Sequence, residues 1–275
     1  PPDPNLTPQQ AFMRLLEPHY DGITMGEVVW HSRWETWVRL ADTFREGNVL
    51  LAGDSAHVHS TTGGQGMNCC MQDAFNLGWK LALVLKGYAR PELLDTYEAE
   101  RRPVAEQVIW AASSLHEIFM GHGKDIAERA QKIRDPAFLE AVVGRCSGIS
   151  YTYRDHAQPP VWSGSAIGDR APDVDFAPGR SLYDLTRHPS CTLIAVAGRE
   201  AGQAGLQTSL KGLVHRFAPV VELRVIVATP QFAARYGASD EDQLWLLRPD
   251  GYVGFRCKAS EMHALESRLH EWFAL

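Results

Sequence analysis

The stretch from Gly47 to Asn68 reads Gly-Asn-Val-Leu-Leu-Ala-Gly-Asp-Ser-Ala-His-Val-His-Ser-Thr-Thr-Gly-Gly-Gln-Gly-Met-Asn. Its apolar run, Val49 to Ala52, has the length of a buried strand. The run stops at Gly53-Asp54, and two turn-prone stretches follow, Ser60 to Thr62 and Gly63 to Gly66. Met67 to Leu85 is then largely apolar, with polar positions concentrated at Asp73, Asn76 and Lys80. That spacing draws one polar stripe along a helix that is otherwise mostly buried. Strand, acidic residue, glycine-rich loop and helix start together suit a phosphate-bearing or otherwise anionic ligand. Glycines let backbone N–H groups approach a ligand closely, and the helix start adds roughly half a positive charge. Asp54, at the strand end, accepts hydrogen bonds, so it suits a sugar or polyol hydroxyl and repels phosphate. A plain strand-to-helix turn, with Asp54 as a helix cap, is the other reading of the same residues.

The pattern extends well beyond the loop. Gly53-Asp54-Ser55-Ala56-His57, Gly63-Gly64-Gln65-Gly66-Met67-Asn68 and Gln72-Asp73-Ala74-Phe75-Asn76-Leu77-Gly78-Trp79-Lys80-Leu81 resemble the second flavin-binding motif of the FAD-dependent aromatic hydroxylases. Leu94-Asp95-Thr96-Tyr97-Glu98-Ala99-Glu100-Arg101-Arg102-Pro103 does too. The resemblance is to the para-hydroxybenzoate and phenol hydroxylase class, and nearest to hydroxylases that tailor aromatic polyketide antibiotics. It runs from about Val28 to Val108. It implies a monooxygenase that binds FAD, is reduced by NADPH or NADH, and adds one oxygen atom to an electron-rich aromatic ring. Asp54 would then accept hydrogen bonds from the ribityl chain. Gly53, Thr61, Gly63, Gly64, Gln65, Gly66, Met67 and Asn68 would complete the cofactor site, with amides near the helix start facing the ring. Reduced flavin carries negative charge there, which a helix N-terminus stabilises. His57 and His59 either shuttle protons or hydrogen-bond within the loop. Many relatives carry Pro-Pro or Ser-Pro where Ser60-Thr61 stands, so Thr61 brings a freer φ and an extra N–H. No side chain is assigned as catalytic and none as a metal ligand.

At 275 residues, with 45% hydrophobic and 22% charged residues and a net charge of -6, the composition is that of a soluble globular protein with room for about two domains. Mild acidity without Lys/Arg runs argues against nucleic acid, and no apolar stretch is long enough for a membrane span. The cysteines at 69, 70, 146, 191 and 257 show no CxxC or metal spacing and fit a reduced, cytoplasmic protein. The chain opens Pro-Pro-Asp-Pro and contains no GxGxxG after a strand, whereas the resembled enzymes begin with that fingerprint. The expectation is a C-terminal half, whose partners are the missing N-terminal half and an aromatic small molecule. A homodimer stays open.

The fold class expected is α/β, mixed with α+β: the C-terminal part of a flavin-binding domain plus long helices, followed by a thioredoxin-like domain. Residues 1–45 read as the end of a substrate-binding domain. There Thr7-Pro8 open a short helix, and Ile23 to Leu40 alternates like a strand. Trp30 and Trp34 on that strand either line a substrate pocket or pack under the sheet. Residues 46–125 read as the flavin-binding part, with a helix from Pro91 to Phe119 that Pro103 kinks or restarts; Arg101 and Arg102 there either bind an anion or, as the resemblance implies, tie the helix to the flavin domain. Residues 126–164 read as a helical region opening at Asp135-Pro136, then a linker at Pro159-Pro160. Residues 165–275 supply strands at Thr192–Ala197, Val220–Ala228, Leu244–Leu247 and Tyr252–Phe255, with Arg248-Pro249-Asp250-Gly251 turning between the last two. Helical faces run from Leu206 to Phe217 and from Met262 to Trp272. Without CxxC no redox role is read for this domain, and Cys191 reads as core. Two other functions stay open. One is a non-catalytic module for dimerisation or for binding a partner half. The other is a flavin enzyme performing epoxidation or Baeyer–Villiger insertion.

Overall fold

The computed structural model describes residues 5–32, 35–120, 126–154, 165–237 and 241–275. Trp34 and the Pro159-Pro160 linker lie outside them. The chain divides into two units, Pro1–Thr36 and Trp37–Leu275.

In the first unit Thr7 caps helix α1 (Pro8–Leu16). Its side chain accepts from the Gln10 amide while the Gln10 side chain reaches back to the Thr7 amide, and Pro8 occupies the first helical position. Gln9 Nε2 donates to the Met25 carbonyl at 3.1 Å and fastens the segment that follows. The strand expected over Ile23 to Leu40 does not form; among the described residues only Arg39–Leu40 (β1), in the second unit, is in a strand. Alternation alone is not enough, because a strand needs a neighbour to satisfy its N–H and C=O groups. Val29 and Trp30 are accordingly 95% and 81% exposed, so Trp30 packs under no sheet.

In the second unit β2 (Arg45–Glu46) and β3 (Val49–Leu50) form a hairpin, and β4 (His57–Val58) pairs back with β1. Helix α2 (Gly66–Leu85) and helix α3 (Asp95–Met120) follow, the second continuing through Pro103 rather than restarting there. Helix α4 (Ile126–Arg134) leads to helix α5 (Pro136–Ser147), which Asp135 caps by accepting from the Ala137 amide at 3.0 Å. The polar stripe of α2 proves to be its most buried face. Asp73, Asn76 and Lys80 are fully buried, while Met67, Met71 and Phe75 are exposed. Burying charge costs several kcal/mol per ion unless each is paired, and here each is: Lys80 Nζ and Asn76 Nδ2 both donate to Glu100 on α3 at 2.7 Å.

The remaining chain forms a short hairpin, β5 (Asp175–Ala177) and β6 (Arg180–Ser181), then β7 (Cys191–Ala197), α6 (Gln203–Arg216), β8 (Val221–Val227), α7 (Pro230–Tyr236), β9 (Gln243–Leu247), β10 (Val253–Lys258) and α8 (Met262–Trp272). Its sheet has the order β10-β9-β7-β8, with β7 and β8 parallel and the other pairs antiparallel. This is the thioredoxin-like arrangement; the periodicity did not reveal α7, which covers the second face of the sheet. β7 is buried along its whole length, as a strand covered on both faces must be. Leu193 and Ala195 face a core shared with α6, α8 and the end of α2 at Trp79 and Leu83. Ile194 and Val196 face Phe232 and Tyr236 of α7. The Arg248-Pro249-Asp250-Gly251 turn also does more than join two strands. Arg248 donates to both oxygens of Glu100, at 2.6 and 2.8 Å, and Asp250 accepts from Asn76 and Trp79 at 3.2 Å each.

Candidate functional site

The site is built at the end of β3. Tyr97 of α3 donates its hydroxyl to the Leu51 carbonyl at 2.8 Å and sets the direction in which the strand leaves. The chain then turns through a single 3-10 turn, Gly53–Ser55. Gly53 has φ +60°, and a Cβ there would lie 3.1 Å from the Cys70 side chain, so conformation and space both require glycine. Its amide donates to Asp73 Oδ2 at 3.1 Å. Asp54 is exposed, and the Cys70 thiol donates to it at 3.4 Å. Burial first, and the Asp54 carboxylate second, push that thiol up to about 11, so it stays protonated as the donor.

Asp73 is the hub. Besides Gly53 it receives His57 Nε2 and Arg101 Nε, both at 2.7 Å, and all three side chains are buried. Burial opposes ionisation of Asp73, yet the His57 hydrogen bond and the Arg101 charge hold its carboxyl below the usual range. Burial likewise opposes the imidazolium of His57, but the Asp73 and Cys69 hydrogen bonds outweigh it and raise the group to about 9. His57, Cys69 and Asp73 bring one ligand atom each within 4.8 Å of one another, the spacing of a metal site. Arg101 and the His57 imidazolium already supply positive charge there, so the cluster is an ion network around one carboxylate, two cations sharing Asp73.

The glycine-rich loop ends at α2. Gln65, the N-cap residue, gives its helix no side-chain cap, and the first turn holds no acidic residue. The positive end of α2 is therefore left for a ligand. A Cβ at Gly64 or Gly66 would meet nothing within 4 Å, so the backbone there is open to close approach, and Met67 and Asn68 stand exposed beside it. An exposed carboxylate near an uncapped helix end fits a group with hydroxyls on one part and negative charge on another. Flavin, with its ribityl chain and its ring, meets both requirements.

Of the residues expected at the cofactor, Gly53 and Gln65 are buried; Asp73 takes the Gly53 amide and the Gly53 carbonyl accepts from the Ala56 amide, so Gly53 shapes the turn and has no backbone group left for a ligand. Thr61, Gly63 and Gly64 are exposed, and Gly66 is half-buried. Gln65 instead turns inward and donates to the Cys146 carbonyl at the end of α5. Trp30 belongs to the first unit. Sequence reasoning assigned no role to Ser60 or His116, whose contacts below join residues far apart in the chain, and no spacing pattern marks them.

A family model for the FAD binding domain matches residues 2–112, and one for the C-terminal part of aromatic-ring hydroxylases matches residues 165–274. Pentachlorophenol 4-monooxygenase of Sphingobium chlorophenolicum is 40% identical over 90% of this chain and 49% of its own length. Anhydrotetracycline monooxygenase of Streptomyces rimosus is 31% identical over 98% of the chain and 52% of its own length. Among solved structures, the rebeccamycin biosynthetic enzyme RebC with reduced flavin superposes with a TM-score of 0.72 at 28% identity, over 94% of this chain and 52% of that one. The chain thus spans about half the length of the relatives it matches.

Proposed function

Because the chain belongs to the FAD-dependent aromatic-ring hydroxylases, we propose that it supplies the C-terminal half of a flavoprotein monooxygenase acting on a bulky phenolic or polyaromatic substrate. One observation carries the reading: the uncapped first turn of α2 opens onto free space at Gly64 and Gly66, with the exposed Asp54 carboxylate on the turn that Asp73 holds. FAD bound there supplies the redox and oxygen chemistry. The chain's own residues bind and orient it. Asp54 accepts hydrogen bonds from the ribityl hydroxyls. The amides from Gln65 to Asn68 would face the pyrimidine edge, where the helix end would stabilise negative charge on the reduced ring. His57 keeps its proton at Nε2 on Asp73 and serves the fold rather than the reaction.

Electrons come from NADPH or NADH. One oxygen molecule and one reduced nicotinamide are consumed for each hydroxyl formed, and the second oxygen atom leaves as water. Relatives named for pentachlorophenol and anhydrotetracycline support the substrate class, and the exposed Trp30 would offer an apolar surface to such a ring system. The cysteines are free thiols, which suits a reducing, cytoplasmic setting. Turnover of the complete flavoprotein under labelled oxygen gas, with a panel of phenols and polycyclic phenols, tests the proposal. Label is expected in the organic product; label confined to water or peroxide across the panel would overturn hydroxylation.

A further inference from the structure

The loop that presents the ring-facing amides is held from outside itself. Ser60 is 7% exposed, and its Oγ lies 3.0 Å from His116 Nδ1 on α3 and 3.0 Å from Thr62 Oγ1. The Thr62 amide donates to the same Oγ at 3.2 Å, and the imidazole tautomer sets which of Ser60 Oγ and His116 Nδ1 donates to the other. His59 Nδ1 donates to the Ser60 carbonyl at 2.8 Å. Immediately downstream, Gly63 has φ +95°, and a Cβ there would lie 3.1 Å from Leu115 and 3.4 Å from Cys146 Sγ. Residues 60–65 therefore rest on α3 at Leu115 and His116 and on the end of α5 at Cys146. The loop between these supports holds the flexible Gly63-Gly64 pair, and Thr61 does not lock φ as a proline would.

We propose that His116 is the positioning residue of this loop. Through Nδ1 it fixes the Ser60 hydroxyl, and through that hydroxyl the Thr62 backbone, so that the amides from Gln65 to Asn68 stand at one place. Rigidity that the loop's own sequence lacks is thereby supplied from α3, 54 to 56 residues away. The consequence for flavin rests on the function proposed above; the anchoring itself is a property of the chain.

Amide hydrogen exchange over residues 61–69 of the flavin-free chain tests the anchor. His116→Leu and Ser60→Ala should each speed exchange there by about five- to tenfold, the factor that one net hydrogen bond is worth. The double variant should be no faster than either single one, and His116→Asn, whose Oδ1 can stand in for Nδ1, should restore slow exchange. Exchange in β7 serves as the fold control, and Ser60→Ala keeps the test open if His116→Leu does not fold. Unchanged loop exchange, or additive effects in the double variant, would overturn the proposal. In the complete flavoprotein loaded with FAD, His116→Leu should divert more NAD(P)H electrons to peroxide, with His116→Asn again restoring coupling. Failure of the parent protein to bind FAD would sink the flavin reading alone, since the exchange result is read without cofactor.

Discussion

The Gly53 amide and the Asp73 carboxylate, twenty residues apart in the chain, meet at 3.1 Å. The bond joins the turn bearing Asp54 to the buried face of α2, and the same carboxylate holds His57 and Arg101. Asp73→Ala should therefore remove three partners at once and leave Arg101 buried without a counter-charge. The expected cost is about 3–5 kcal/mol, the range for breaking a buried pair from one side. A urea midpoint shifted by less than a third of that would mean the network is replaceable by solvent.

His57 gives the fold a pH signature. Its folded pKa of about 9 lies above the ordinary 6.5, so its contribution is present in full below about pH 6.5 and is lost as pH rises through 9. The size is on the order of 3 kcal/mol, since each unit is worth about 1.4 kcal/mol. Thermal melts of the parent chain should lose stability between pH 6.5 and 9 relative to His57→Gln. Parallel curves for the two proteins would show that His57 is not charged in the folded state.

The bidentate contact of Arg248 with Glu100 fastens the thioredoxin-like layer to α2 and α3. Burial works against the Glu100 carboxylate, yet Arg248 and Lys80 hold it down to about 2. Because that value is depressed, the contribution is present above pH 4.5 and is lost as pH falls toward 2. Glu100→Gln should cost about 3 kcal/mol or more at neutral pH, and its effect should shrink in an Arg248→Met background. Full additivity in that double-mutant cycle would deny the coupling.

Asp54 should behave in the opposite way. Its carboxylate is exposed and receives only the Cys70 thiol among the hydrogen bonds described. Asp54→Ala should leave the melting temperature nearly unchanged. In the complete flavoprotein the same change should weaken FAD by roughly 1.5–3 kcal/mol, the worth of a charge-assisted hydrogen bond. Fluorescence titration with FAD reads this directly, and an unaltered affinity would remove Asp54 from the cofactor site.

Local chemistry made much of this protein legible in its sequence. Alternation and helical spacing mark β7, α6, β8, the β9–β10 hairpin and α8 to within a few residues, and Asp135-Pro136 marks the start of α5. Gly53-Asp54 and the glycine loop before α2 mark a candidate site through backbone conformation alone, since positive φ and an uncapped helix start are local properties. What the sequence could not decide was pairing. It drew the stripe Asp73, Asn76 and Lys80, but the stripe faces inward because Arg101, Glu100 and Asp250 wait there, the last 174 residues from Asn76. It drew an alternating segment through Trp30, which forms no strand among the described residues. A polar group's cost in the interior depends on the partner that meets it, and a strand's stability depends on the neighbour that bonds it. Those partners come together only when the chain is folded, so the tertiary structure alone decided which polar residues became the core of the site.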